Sequence, residues 1–140
     1  MEEIEEGEFE TNKPEIERRY RERLNYQGLL MQRINSVLIA IDQGYDGYTN
    51  LNSLLSILIP EIREGIEEDL RKAKEDREEE LEELSKLPKP VWNKEIREFN
   101  RKLIEINRRY VWKVINAIIL ALHDLGLLLE EERKLDEGGY

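Results

Sequence analysis

Apolar residues recur at spacings of three and four along most of this chain, which places them on one face of a helix. The spacing predicts three long helices, over about 13–43, 50–87 and 93–126. Pro14 suits the first turn of a helix because that turn leaves its N–H groups unpaired, and Gly44 is typical of a left-handed helix end. The seam of the first helix contains Ile16, Tyr20, Leu24, Gln27, Met31, Ile34, Leu38 and Ile41.

The second predicted helix contains a proline, Pro60, in its interior. Proline removes a backbone donor and clashes with the preceding turn, so we expect a kink near 56–60. A complete break would need a capping side chain at Ile59, and isoleucine cannot cap. Because the connections are short, the helices are expected to run up, down and up. The predicted fold is an all-α bundle of three helices, with the first and third parallel.

The most apolar stretch, residues 110–129, lies in the third helix. Between Val114 and Leu122 only Asn116 is polar, so this helix needs cover on nearly every side. Three helices leave part of it facing outward, which predicts an interface with a second copy. The alternative is that residues 127–135 form a short fourth helical piece that folds back over it. The predicted oligomer interface consists of Val111, Ile115, Asn116, Ile118, Ile119 and Leu122.

Most of the net charge of −10 belongs to the two ends of the chain. Residues 1–10 carry six Glu and no base, and residues 130–137 carry five acids and two bases, so together they hold −9. We therefore predict a flexible acidic arm at 1–12, a helical domain at 13–129 and an acidic tail at 130–140.

Charge within the bundle supports the pairing of the second predicted helix with both of the others, since residues 14–33 carry five bases and three acids, a net charge of +2. Residues 61–86 carry twelve acids and six bases, a net charge of −6, whereas residues 94–113 carry seven bases and three acids, a net charge of +4. Oppositely charged neighbours set the register of a helix pair more than its stability.

Composition excludes several classes of protein. The chain has no cysteine, which excludes disulfides, thiolate metal sites and cysteine nucleophiles. Charged residues make up 39% of it, well above the usual ~25%, and together with the low Met content this is typical of a heat-stable protein. The N-terminus is acidic, unlike a signal peptide, and no apolar run has the length of a membrane span, so we expect a cytoplasmic protein.

Two constellations invite a catalytic or metal-binding interpretation, and neither is complete. The loop from Asp42 resembles a calcium loop in spacing, but its twelfth position is Ser53 where a bidentate Glu is needed. His123 is the single histidine, so the two-histidine zinc motif is excluded. We expect no enzyme activity, no metal and no cofactor.

Two further groups of residues are candidates for binding partners. Tyr45 and Tyr48 lie on the loop after the first helix and could anchor a protein partner, whereas Trp92 and Trp112 are expected in the core. Basic residues beside aromatic ones on the first and third helices predict contacts to phosphate groups of a nucleic acid. These candidates for nucleic-acid contacts are Arg18, Arg19, Arg21, Arg97, Arg101, Lys102, Arg108 and Arg109.

These patterns favour a non-catalytic structural or adaptor protein that forms a homo-oligomer, with a dimer favoured. Its apolar pole would combine the end of the first helix, the start of the second and the end of the third. One alternative is a nucleic-acid-associated protein, which the acidic ends oppose. A third interpretation is an acidic inhibitor of a basic partner protein.

Overall fold

A computed structural model describes residues 6–127 of the chain, and the side chains of residues 13–127. Its described part is all α-helical, as predicted, and contains no strand. The predicted three-helix bundle is not confirmed, because residues 6–127 contain four helices. They are α1 (Glu6–Asp42), α2 (Tyr48–Leu55), α3 (Pro60–Ser85) and α4 (Asn93–Asp124).

The fourth helix arises because the predicted second helix breaks completely before Pro60 instead of kinking. Pro60 is the first residue of α3, where its missing N–H costs nothing. Ile59 precedes it in an extended conformation (φ −70°, ψ 158°) and its side chain forms no capping hydrogen bond. The prediction that a break requires a capping side chain at this position was therefore incorrect.

Two side chains, one distant in sequence and one in the first turn of α3, bond to the backbone of the break in place of a cap. The Tyr26 hydroxyl donates to the carbonyl oxygen of Ile57 (2.7 Å) and accepts from the N–H of Ile59 (3.0 Å). Arg63 Nε donates to the carbonyl oxygen of Leu58 (2.9 Å). Each bond satisfies a backbone group that a continuous helix would have paired, which lowers the cost of the break.

Helix α1 runs antiparallel to α4, whereas parallel first and last helices were predicted. Arg23 near the middle of α1 donates to the carbonyl oxygen of Gly126 just after the end of α4 (2.6 Å). Arg108 in the first half of α4 donates to the carbonyl oxygen of Ile41 near the end of α1 (2.6 Å). As residue numbers rise along α1, they fall along α4, so the two helices have opposite directions.

Helix α2 turns back along α1. Arg33 donates to the hydroxyl of Ser53 (2.9 Å), and Tyr26, two turns earlier in α1, contacts Ile57 after α2. The break then reverses the chain a second time. The helices consequently run up, down, up and down, and α2 is much shorter than the others.

Helices α3 and α4 form an antiparallel pair, as the charge pattern predicted. Arg109 pairs with Glu80 (2.8 Å) and Lys113 pairs with Asp76 (3.1 Å). Both pairs join an acidic residue of α3 to a basic residue of α4. They are exposed, so they contribute to register more than to stability.

The core lies where all four helices overlap. Helix α4 supplies its largest share, and α1, α2 and α3 cover two sides of it. Its fully buried large side chains are Leu30, Ile34, Val37, Leu51, Leu54, Ile62, Ile66, Val111, Val114, Ile115, Ile118 and Leu122.

Two parts of the molecule extend beyond this core in opposite directions. Helix α1 starts at Glu6, earlier than the predicted start at 13, and Pro14 lies inside it. Its part before Arg23 passes the end of α4, and Ile16 and Tyr20 of its apolar seam are exposed there. At the other end α3 and α4 continue as a pair to the connector. The predicted C-terminal helix and tail, at 127–135 and 130–140, lie almost wholly outside the described residues.

Candidate protein interface

The residues predicted for the oligomer interface on α4 differ in their exposure in the structure. Val111, Ile115, Ile118 and Leu122 are each 0% exposed and belong to the core of one chain. The predicted outward face assumed only three helices, and the second reversal brings further apolar residues of α2 and α3 against α4. These four residues therefore have their cover within a single chain.

Asn116, by contrast, lies on the exposed side of α4. Trp112 and Leu120 precede and follow it by four residues, so all three share one helix face. Trp112 is 43% exposed and Leu120 60% exposed, and Ile119 beside them is half-buried. We call Trp112, Asn116 and Leu120 the outer face of α4.

The outer face is poor in charge. Between Tyr110 and His123 the only charged residue is Lys113, and its ammonium group bonds to Asp76 of α3 (3.1 Å). In the whole chain 39% of residues are charged. Depletion of charge around an exposed tryptophan is typical of the central part of a protein–protein interface.

The two loop tyrosines differ in their surroundings. Tyr45 is 66% exposed, which suits the predicted anchor for a partner. Tyr48 is half-buried, with its ring 5.7 Å from that of Tyr110 and the guanidinium of Arg77 4.6 Å above its centre. Burial raises the pKa of Tyr110. Tyr48 is thus part of the packing between α2, α3 and α4.

A polar network missed in the sequence fixes the loop beside this aromatic pair. Asp46 accepts from the N–H of Tyr48 (3.0 Å) and from the side-chain amide of Asn107 (3.0 Å). The amide oxygen of Asn107 accepts from Arg77 Nε (2.9 Å). One oxygen of the Asp46 carboxylate therefore bonds to the start of α2, and the other joins the loop to α4. No sequence motif marks such a network, because its members are far apart along the chain.

Six of the eight predicted nucleic-acid residues lie towards opposite ends of the molecule, and Arg108 and Arg109 lie near the middle of α4. Arg18, Arg19 and Arg21 lie on the extension of α1, whereas Arg97, Arg101 and Lys102 lie near the α3–α4 connector. The two basic patches are consequently not brought together into one surface.

Acidic neighbours also engage half of these basic residues. Arg18 bonds to Glu15 and Glu22, Arg19 to Glu15, Arg101 to Glu98 and Glu105, and Arg109 to Glu80. Arg108 instead bonds to backbone carbonyl oxygens. Hydrogen bonding to Arg18 is the main cause that lowers the pKa of Glu15 to about 2.

The two tryptophans are exposed, although core packing was predicted for both. Trp92 is 71% exposed and Trp112 is 43% exposed. Trp92 directly precedes the first residue of α4, where no third helix covers the α3–α4 pair. Trp112 lies within α4, about a third of a turn around the helix axis from the buried residues of that helix.

Within residues 6–127, no three or more acidic or histidine side chains form a group suited to a metal ion. The helices in that range also lack a stretch with the length and hydropathy needed to cross a bilayer. No family model, curated protein or solved structure matches the chain.

Proposed function

We propose that this chain is a non-catalytic structural or adaptor protein that forms a homodimer through the outer face of α4. The observation that supports the proposal is the outer face itself, where Trp112, Asn116 and Leu120 are exposed on a stretch of α4 whose only charged residue is Lys113. Covering exposed apolar surface of this kind with a second surface removes it from water, which lowers the free energy and favours association.

The spacing along the outer face suits a second copy of the same helix. In a two-fold antiparallel pair centred on Asn116, each Trp112 lies opposite Leu120 of the other copy. The two Asn116 amides lie opposite each other, and an amide can both donate and accept a hydrogen bond. The face is therefore self-complementary in residue spacing and in hydrogen bonding.

The proposed interface lies on a different side of α4 from the face predicted from the sequence. It keeps Asn116 of the predicted set, leaves out the half-buried Ile119 and replaces the four buried residues with Trp112 and Leu120. It also requires no opening of the core, because the outer face is accessible in the single chain.

Sedimentation equilibrium of the full chain tests the proposal. We expect a dimer that the double variant Trp112→Ala/Leu120→Ala converts to monomer at the same micromolar concentration. Ile39→Ala is a matched control, since Ile39 is similarly exposed but lies on α1. A wild-type chain that stays monomeric at 100 times that concentration would contradict the proposal.

Asn116→Leu provides a second test, at the centre of the proposed pair. Replacing a central polar residue by leucine adds apolar area and removes the hydrogen bond that selects one register. We expect tighter association with mixed oligomer sizes, measured by light scattering after size exclusion. Asn52→Leu, at an exposed position of α2, is the control. Weaker association of Asn116→Leu would instead indicate that the asparagine has a different partner.

We rank nucleic-acid binding below self-association. Four of its eight predicted residues bond to carboxylates, which compete with phosphate groups for the same guanidinium donors. The net charge of −10 further opposes a polyanion.

A further inference from the structure

The connector between α3 and α4 combines positive charge with exposed apolar side chains. We call residues 86–94 the tip; it contains Lys86, Lys89 and Lys94 and no acid, so its charge is +3. Val91 is 74% exposed and Trp92 71% exposed, more than any other large apolar residue among the described side chains. The tip therefore presents apolar surface and cations at the same place.

A groove of about 580 Å³ lies beside these residues. Its apolar walls come from the tip and from the first turns of α4, and two lysines lie at its edge. The groove is lined by Leu87, Pro88, Pro90, Lys94, Glu95, Glu98, Phe99 and Lys102.

The two carboxylates of the groove already have partners. Glu95 accepts from the N–H of Val91 (3.2 Å), and Glu98 bonds to Arg101. Among the described side chains, no ion pair within 4.0 Å holds Lys89, Lys94 or Lys102. Hydrogen bonding to Arg101 is the main cause that lowers the pKa of Glu98. Lys94 and Lys102 lie near enough to contribute to that lowering, but none of the three lysines is held in an ion pair, so each can bind a carboxylate of another molecule.

We propose that the tip binds the glutamate-rich N-terminal segment, residues 1–10, of a second copy of this chain. That segment carries six Glu and no base, and it contains the apolar residues Ile4 and Phe9. Its carboxylates complement the lysines of the tip, and its apolar side chains complement the groove and Trp92.

The segment of the same chain cannot reach its own tip. Contact between Arg23 and Gly126 places the middle of α1 at the end of α4 far from the tip. The 32 residues of α4 span roughly 48 Å, and α1 before Arg23 leads further away by about 26 Å. Five residues ahead of Glu6 extend at most about 18 Å. Only a second molecule can supply the segment.

Such a contact joins opposite ends of two molecules. It is heterologous, so a joined pair keeps one tip and one segment available for further copies. It uses no residue of the outer face of α4 and does not depend on the dimer proposed above.

Fluorescence anisotropy tests this contact with a labelled peptide of residues 1–12 as the probe. We expect saturable binding to the full-length protein, weakened at least tenfold when the salt concentration rises from 50 to 500 mM. A peptide in which the six Glu are replaced by Gln is expected to bind at least tenfold more weakly. Equal binding of the two peptides would overturn the proposal.

Variants of the protein locate the binding site. Lys89→Glu/Lys94→Glu and, separately, Trp92→Ala are each expected to weaken peptide binding at least tenfold. Lys72→Glu/Lys74→Glu makes the same charge change at exposed positions of α3 and is expected to have less than a twofold effect. If the α3 control weakens binding as much as the tip variant, net charge explains the effect and the proposal is wrong.

The same variants separate this proposal from the dimer. Tip variants are expected to leave the sedimentation dimer intact, whereas Trp112→Ala/Leu120→Ala is expected to leave peptide binding intact. Each proposal can therefore fail without the other.

Discussion

The inner and outer faces of α4 are both apolar, yet only one is covered. On the inner face, Ile115 and Ile118 are 0% exposed, while on the outer face Leu120 is 60% exposed. Ile118 and Leu120 are two positions apart in one uninterrupted helix. Hydropathy along α4 therefore shows that the helix needs cover, but the number and directions of the other helices decide which face receives it.

The largest expected effect is the difference in stability between a truncation on the inner face and one on the outer face. Ile118→Ala should lower the free energy of unfolding by roughly 2–5 kcal/mol, because it leaves a cavity in a fully packed core. Leu120→Ala should change it by about 0.5 kcal/mol or less, since an exposed side chain leaves no cavity. Urea denaturation at a concentration where both variants are monomeric measures the difference. Equal losses would mean that the two faces are not distinguished in solution.

A smaller loss of unfolding free energy is expected from a substitution at the break between α2 and α3, which brings α3 back against α4. Tyr26→Phe keeps the ring and removes the hydroxyl that bonds to Ile57 and Ile59, leaving two half-buried backbone groups unpaired. The expected loss of unfolding free energy is about 1–3 kcal/mol. Tyr45→Phe, at an exposed position, serves as the control in the same denaturation experiment. A loss no greater than that of the control would show that the break does not depend on this hydroxyl.

The smallest effect on stability is expected on the exposed extension of α1, where the core makes no contribution to stability. Arg18→Gln should raise the pKa of Glu15 from about 2 toward its ordinary value of 4.5, because it removes the main hydrogen-bond donor. Because folding lowers the pKa of this carboxyl, the ionised carboxylate stabilises the helix at pH values above the pKa of the unfolded chain. That stabilisation is lost as the pH falls toward 2. Carboxyl ¹³C chemical shifts during a pH titration measure the pKa, with Arg21→Gln as the control. An unchanged pKa in Arg18→Gln would show that this pair does not form in solution.

Much of the local structure could be predicted from the sequence. Gly44 and Gly126 adopt φ of 96° and 67°, and α1 and α4 end two residues before them, as expected of left-handed helix ends. The acidic residues of α3 and the basic residues of α4 correctly indicated that these helices pair. Each of these features depends on residues close in sequence or on the charge of a whole helix.

The break at Pro60 could not be predicted in the same way. Local rules require a capping side chain before a new helix, and Ile59 provides none. Tyr26 instead bonds to the backbone there from 33 residues earlier in the chain. Four of the six residues of the predicted interface are buried for the same reason, because the predicted outward face of α4 depended on counting three helices.

By itself, the sequence determined that the protein is helical, where α1 and α4 end, and how charge divides between α3 and α4. Those properties follow from residue spacing, glycine conformation and composition, which act locally. Tertiary structure alone decided that residues 6–127 form four helices, that α1 and α4 are antiparallel, and that Trp112 rather than Ile115 faces outward. Such features depend on which residues distant in sequence meet, and the periodicity of a helix does not carry that information.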